Sequence, residues 1–287
     1  MRFKKVLNNL ATSDWQLALP LTLFLQIFYL APLLILLVTS LQSKQPSAAL
    51  SLSNYVKFFS DRDTLGVLWD TLWLGVQVTL LCLILGYPLA YVFTFASAQW
   101  QKWLTFLIAL PILTSVVVRT FAWVVILGRE GIVNSVLINL GITSTPIKLL
   151  FTHLGVVIAL TEVQLPLMVV PLIAAMVRLD KRLIDASASL GGGSWRTFWR
   201  ISFPLTLPGI ISGCLLVFVS AINAFITQSI VGGGQIIYMP TYIYQQALTL
   251  LNWPFAAAIS IILLASVLVI VVAFNTLDKL TKSYTHS

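Results

Sequence analysis

Residues 152–177 read Thr-His-Leu-Gly-Val-Val-Ile-Ala-Leu-Thr-Glu-Val-Gln-Leu-Pro-Leu-Met-Val-Val-Pro-Leu-Ile-Ala-Ala-Met-Val, with Glu162 as the one formal charge. A helix rises about 1.5 Å per residue, so a run of this length reaches across the roughly 30 Å hydrocarbon core of a bilayer. Its low charge makes it a membrane-span candidate. Working outward in both directions, similar runs cover 16–41, 65–96, 103–127, 203–225 and 255–277. Six spans predict an all-α, polytopic membrane protein, read as a single domain over 1–287.

Composition agrees. Of 287 residues, 59% are hydrophobic and 9% charged, whereas soluble domains carry about 25% charged residues. Six spans and their connections leave little chain for a soluble catalytic domain. The first run is too long for a cleavable leader, and Gln42-Ser43-Lys44 is no small-x-small cleavage site. Cys82 and Cys214 both lie in apolar runs, where they read as small buried hydrophobes and offer neither a disulfide framework nor metal-ligand spacing.

The net charge is +8. No basic run with interleaved aromatics points to nucleic acid, and loop topology accounts for the excess. With the N-terminus in the cytoplasm, the inner side carries Arg2, Lys4, Lys5, Lys102, Arg178, Lys181, Arg182, Arg196, Arg200, Lys279 and Lys282. The outer side carries Lys44, Lys57, Arg62, Arg129 and Lys148. Eleven against five predicts both termini inside. The outer connections are then 42–64, 128–151 and 226–254, and the inner ones are a short turn at 97–102 and a long basic segment at 178–202. Pro88, Pro111, Pro166 and Pro171 fall within spans, where neighbouring groups satisfy the carbonyls that a proline frees.

The long inner segment has its own pattern. Residues 179–210 read Leu-Asp-Lys-Arg-Leu-Ile-Asp-Ala-Ser-Ala-Ser-Leu-Gly-Gly-Gly-Ser-Trp-Arg-Thr-Phe-Trp-Arg-Ile-Ser-Phe-Pro-Leu-Thr-Leu-Pro-Gly-Ile. Small residues from Ala186 to Ser189 predict a short helix that another protein can approach closely. Gly191-Gly192-Gly193 ends it in a sharp turn, and Ser194 is placed to cap a second helix bearing Trp195, Phe198 and Trp199. Two readings remain open on spacing alone. One is a docking lever held at the cytoplasmic surface. The other is an amphipathic loop on the lipid headgroups, anchored by Trp195 and Trp199.

The segment resembles the cytoplasmic loop of binding-protein-dependent ABC importer permeases of type I. In that family an acidic residue precedes two alanines, a glycine follows, and an aliphatic-x-Leu-Pro ending closes the loop. Here Asp185-Ala186-Ser187, Gly191 and Ile201-Ser202-Phe203-Pro204 take those places, with Asp for Glu, Ser for the second Ala and Phe before the proline. Asn54-Tyr55, Gly86-Tyr87-Pro88-Leu89-Ala90-Tyr91, Arg119-Thr120-Phe121-Ala122-Trp123, Val231 to Gly234 and Asn252 to Ala258 are similar to segments of the polyamine, opine and phosphonate importer permeases, the first-subunit type of the spermidine/putrescine branch above all.

That resemblance implies a bacterial inner-membrane permease subunit paired with a second, different permease. It also implies a dimer of ATPase subunits that carries the ATP and Mg, and a periplasmic substrate-binding protein. ATPase coupling would run through Asp185, Ala186, Ser187 and Gly191, with Trp195 and Arg196 beside them. The implied solute is a polyamine, with 2-aminoethylphosphonate, opine or amino-acid-derived solutes as alternatives.

The chain carries no Gly-x-x-x-x-Gly-Lys-Ser/Thr phosphate loop. Gly191-Gly192-Gly193-Ser194 has no lysine behind it, and Gly232 to Gly234 reads as a tight turn or a receptor contact. His153 and His286 stand without carboxylate or cysteine partners at ligand spacing. A non-enzymatic subunit with no metal and no cofactor of its own is expected.

Asp70, Arg119 and Glu162 are ionisable residues within or at the edge of spans. Such charges cost about 2.5–3.5 kcal/mol at mid-bilayer on insertion scales, so they face a partner or a cavity. One reading is a structural pair of Arg119 with Glu162 or Asp70. The other places Glu162 or Asp70 on a transport path for a cationic solute, aided by Tyr238, Tyr242, Tyr244 and Trp253; these aromatics equally fit an interfacial belt. A motor-free secondary transporter is the rival class, for which Glu162 near Pro166 is the one hint.

Overall fold

The computed structural model describes residues 2–42 and 50–285; among these the backbone is helical, with no strand. Lys44 and His286 lie outside the described residues. The helices are α1 (Arg2–Ser40), α2 (Ser53–Ser60), α3 (Arg62–Phe95), α4 (Ala98–Leu113), α5 (Val116–Leu127), α6 (Ile132–Asn139) and α7 (His153–Met176). There follow α8 (Lys181–Ser189), α9 (Ser194–Thr197), α10 (Phe203–Ile222), α11 (Phe225–Gly232), α12 (Met239–Tyr244) and α13 (Trp253–Thr285). Wide π turns at Phe198–Ser202 and Gln245–Thr249 follow α9 and α12.

Among the described residues six stretches are long and apolar enough to cross a membrane: Leu19–Ser40, Arg62–Phe95, Val116–Asn139, His153–Met176, Ser194–Ile222 and Trp253–Phe274. Four of these lie close to runs expected from the sequence. The run expected at 103–127 is instead divided, because the backbone turns extended at Thr114 and Ser115, between α4 and α5. Pro111 lies in the last turn of α4 and has no N–H to give, so the helix is already weakened there. The connection expected at 128–151 contains α6, whose fully buried Asn134 donates to the carbonyls of Gly128 and Ile147, each at 3.0 Å, and accepts from Ile147 N at 2.8 Å.

The run expected to end at 225 stops at Ile222. Asn223 donates its side-chain amide to the Val219 carbonyl at 2.8 Å, satisfying an acceptor that the helix end leaves free. Phe225 N then donates to Asn223 O at 2.8 Å in a three-residue turn, and α11 begins.

The chain divides into two compact units. The smaller combines Met1–Asp61 with Ile243–Ile262. Here α2 is tied to the end of α1. Asn54 Nδ2 donates to Ser40 O at 2.9 Å, and the hydroxyls of Ser40 and Tyr55 are 2.7 Å apart. Phe58 is wholly buried, and the Lys57 ammonium sits 4.4 Å from the centre of the Phe255 ring.

The larger unit combines Arg62–Tyr242 with Leu263–Ser287. Its core is a three-helix packing of α3, α7 and α10, filled by Leu74, Val78, Leu160, Met168, Leu172 and Val217. In lipid such packing is held by van der Waals fit and by small residues that let backbones approach. Gly213 is one of these: a Cβ there would lie 2.7 Å from Met168 Sδ.

Candidate functional site

The glycine-turn segment forms as two short helices. Ser187 Oγ in α8 is 2.8 Å from Thr197 Oγ1 at the end of α9. The turn between them uses Gly191 at φ +77, and Gly192 N donates to Ser187 O at 2.8 Å. Gly193, not Ser194, occupies the N-cap position, and no side chain caps this end. The two helices enclose a recess of about 450 Å³ against which Ala186, Ser187, Gly192, Arg196 and Arg200 lie. Asp185 is exposed beside it, and its carbonyl accepts from Ser189 Oγ at 3.0 Å.

From α9 a ladder of rings leads into the core. Trp195, 74% exposed, stacks on Phe198 with ring centres 6.1 Å apart. Phe198 meets Tyr87 of α3 edge-on at 5.5 Å, and the Tyr87 hydroxyl is 3.1 Å from that of Thr206 in α10. The exposed segment is thereby connected through rigid rings to both α3 and α10.

A second feature lies where the helices are interrupted. A cavity of about 640 Å³ is lined on one side by Ile112 and Val116, which flank the α4–α5 break, and on another by Asn223, Ala224 and Phe225 at the α10–α11 break. Gln164, Pro166 and Leu167 of α7 form a third wall. Arg119, Gln164, Ser220, Asn223 and Thr227 add polar side chains to a mainly apolar lining. Thr120 and Thr227, with hydroxyls 3.1 Å apart, join α5 to α11 at its edge.

Arg119, which lines the cavity, also contacts Glu162, which does not, with Nη1 to Oε1 at 3.4 Å. The second carboxylate oxygen accepts from the Trp123 indole N–H at 3.1 Å. Arg119 and Trp123 are one turn apart on α5, so one helix face presents a cation and an aromatic donor to one carboxylate on α7. The Arg119 Nε is buried without a hydrogen-bond partner. The Glu162 side chain is 35% exposed against 15% for Arg119.

Asp70 and Tyr242 stand apart from this pair. Asp70 is exposed on α3, and Tyr242 Oη lies 3.4 Å from Thr64 Oγ1. Asp70 acts instead on Tyr238: burial first, and then this carboxylate, holds the Tyr238 phenol above its ordinary range. Tyr238 Oη is 2.9 Å from His153 Nδ1, while His153 Nε2 bonds Gln77. Met239 N donates to Thr71 Oγ1 at 2.8 Å, so residues 238–239 are pinned to both α3 and α7. In the sequence His153 reads as isolated. Its partners come from positions 76 and 85 residues away, and no local spacing announces them.

Comparison with known proteins identifies the fold's relatives. The family model described as the binding-protein-dependent transport system inner membrane component matches residues 10–282. The spermidine/putrescine transport system permease protein PotB of Haemophilus influenzae is 34% identical over 257 residues, covering 88% of this chain and 90% of that protein. PotB of Escherichia coli is 35% identical, over 84% of this chain and 88% of that protein. A chain of a bacterial alginate ABC transporter, solved with an alginate-bound periplasmic protein, superposes with a TM-score of 0.77 at 20% identity, covering 94% and 96% of the two chains; that likeness is one of fold. The chain belongs to the family of binding-protein-dependent transport system inner membrane components.

Proposed function

We propose that this chain is the permease subunit of an ATP-driven polyamine importer, acting as one functional domain. It would stand in the bacterial inner membrane with both termini cytoplasmic, paired with a second, different permease. A dimer of ATPase subunits would carry ATP and Mg, and a periplasmic receptor would deliver the solute. The observation that carries this reading is the 34% identity to a spermidine/putrescine permease over 88% of the chain. The cavity at the two helix breaks supports it as a path through the protein.

In this reading the ATPase docks on Asp185, Ala186, Ser187 and Gly191, with Trp195 and Arg196 at the edge of the contact. ATP binding would displace the two short helices as one body. The rings from Trp195 through Phe198 to Tyr87 then pass the movement to α3 and α10, two of the three core helices. Movement there opens and closes the cavity walls at Asn223 and Pro166. Chemistry on the nucleotide stays with the ATPase.

A second solute class is favoured by one observation: Arg119 lines the cavity, whereas Glu162 is held by Arg119 and Trp123. A cation facing the path suits an acidic solute such as a phosphonate or opine. The test of the assembly is a mild-detergent pull-down of the tagged chain from its native membrane, read by mass spectrometry. Recovery of an ATPase and a second permease supports the reading, and recovery of the chain alone contradicts it.

A further inference from the structure

The polyamine reading meets an electrostatic difficulty in the cavity, and the geometry around Glu162 resolves it. The described residues that line it include Arg119 and no acid, and Glu162, which is not among them, is paired with that arginine. A polycation entering such a cavity meets Arg119 first and gains nothing from a neutralised carboxylate. Passage therefore needs the pair to open.

The pair is built loosely. A strong guanidinium–carboxylate contact is two-pronged at about 2.7–2.9 Å, whereas this one is single, at 3.4 Å. Arg119 leaves its Nε unsatisfied, so its present position does not use its hydrogen-bonding capacity. Glu162 is held independently by the Trp123 indole at 3.1 Å and keeps one bond when the arginine leaves.

We propose that Glu162, reached from the cavity through its contact with Arg119, determines specificity, and that a substrate ammonium group replaces the Arg119 guanidinium on its carboxylate during passage. The exchange conserves charge: one cation leaves the carboxylate as another arrives, and no proton moves. Arg119 returns as the amine departs, which clears the site for the next turnover and repels a second cation. An uncharged solute cannot displace Arg119 and gains no foothold. The inference rests on the polyamine reading.

The test is spermidine uptake by the complete complex in proteoliposomes, at saturating loaded receptor. Glu162→Asp keeps the carboxylate and is expected to transport within about threefold of wild type. The double variant Arg119→Gln with Glu162→Gln replaces the ion pair by two amides that can bond each other. It is expected to assemble and to lose uptake by about ten-fold or more, the value of a hydrogen bond to a charged group. A pair that merely braces the fold predicts normal uptake from the assembled double variant, and that result overturns the exchange. Failure of the double variant to assemble also counts against it, since the pair would then be holding the helices together. A wild-type complex that carries no spermidine overturns the polyamine reading itself; normal wild-type uptake with an equally active double variant overturns only the exchange.

Discussion

Ser187 Oγ and Thr197 Oγ1 lie 2.8 Å apart, so that a side-chain bond joins α8 to the end of α9 across the glycine turn. If the segment is the lever proposed above, it transmits force only with its arms locked. Thr197→Val keeps the β-branched shape and removes the bond, at a cost of about 1 kcal/mol. Its expected effect is loss of coupling with normal assembly: ATP hydrolysed per molecule of solute transported rises at least twofold. Equal ratios in variant and wild type would show that the arms need no lock.

Gly191 and Gly192 do different work in the same turn. A Cβ on Gly191 meets nothing within 4 Å, but the residue has φ +77, where a side chain costs about 1–2 kcal/mol. A Cβ on Gly192 would lie 2.5 Å from Ser187 Oγ and 2.9 Å from Ser187 O. Gly191→Asn, which tolerates the left-handed region, is thus expected to transport better than Gly191→Val, whereas Gly192→Ala already disrupts the turn. Uptake measured on the three variants, at equal membrane content, checks the order.

Fully buried Asn134 ties α6 to Gly128 on one side by one bond and to Ile147, before α7, by two. Asn134→Ala takes the partner from both Ile147 groups, while Gly128 O keeps its bond from Gly131 N at 3.0 Å. The expected loss is about 1–3 kcal/mol, from the lost side-chain bonds to Ile147 and Gly128. It is read as a lower thermal midpoint of the detergent-solubilised protein. A midpoint unchanged within error would mean that the clamp is not formed.

Tyr238→Phe tests the pin between residues 238–239 and the core. The phenol is buried and 2.9 Å from His153 Nδ1, so its removal strands a ring nitrogen. A loss of about 1–2 kcal/mol is expected, with faster hydrogen exchange over 233–240. His153→Gln, which can still bond Gln77 or Tyr238, is expected to be milder. Equal exchange in wild type and Tyr238→Phe would rule out the pin.

Much of the fold is legible in the sequence because transfer into lipid is a sum over side chains, and a window of hydropathy measures that sum. The run expected at 152–177 and the helix His153–Met176 agree for this reason. What the sum does not contain is the path of the backbone. The α4–α5 break falls inside an apolar run, where Pro111 and the pair Thr114-Ser115 are its only local marks. The α10–α11 break has less, a single Asn223 whose side chain bonds its own helix. Both breaks matter, because the cavity is built on them.

The site shows the same division. Arg119 and Glu162 could be singled out, since a charge in an apolar span needs an explanation. Trp123 could not be linked to them, because in such a span a tryptophan reads as one more apolar residue, although its indole N–H reaches Glu162. The ladder from Trp195 to Tyr87 joins residues more than 100 positions apart along the chain, through ring contacts that leave no periodic trace.

The central claim, ATP-driven uptake of a polyamine, is tested most directly by radiolabelled spermidine in proteoliposomes holding this chain with its second permease and ATPase. Loaded receptor is placed outside and MgATP inside. The account predicts accumulation that requires both ATP and receptor and survives collapse of the proton gradient. Accumulation that follows the proton gradient without ATP, or no spermidine uptake by the intact complex, would contradict it.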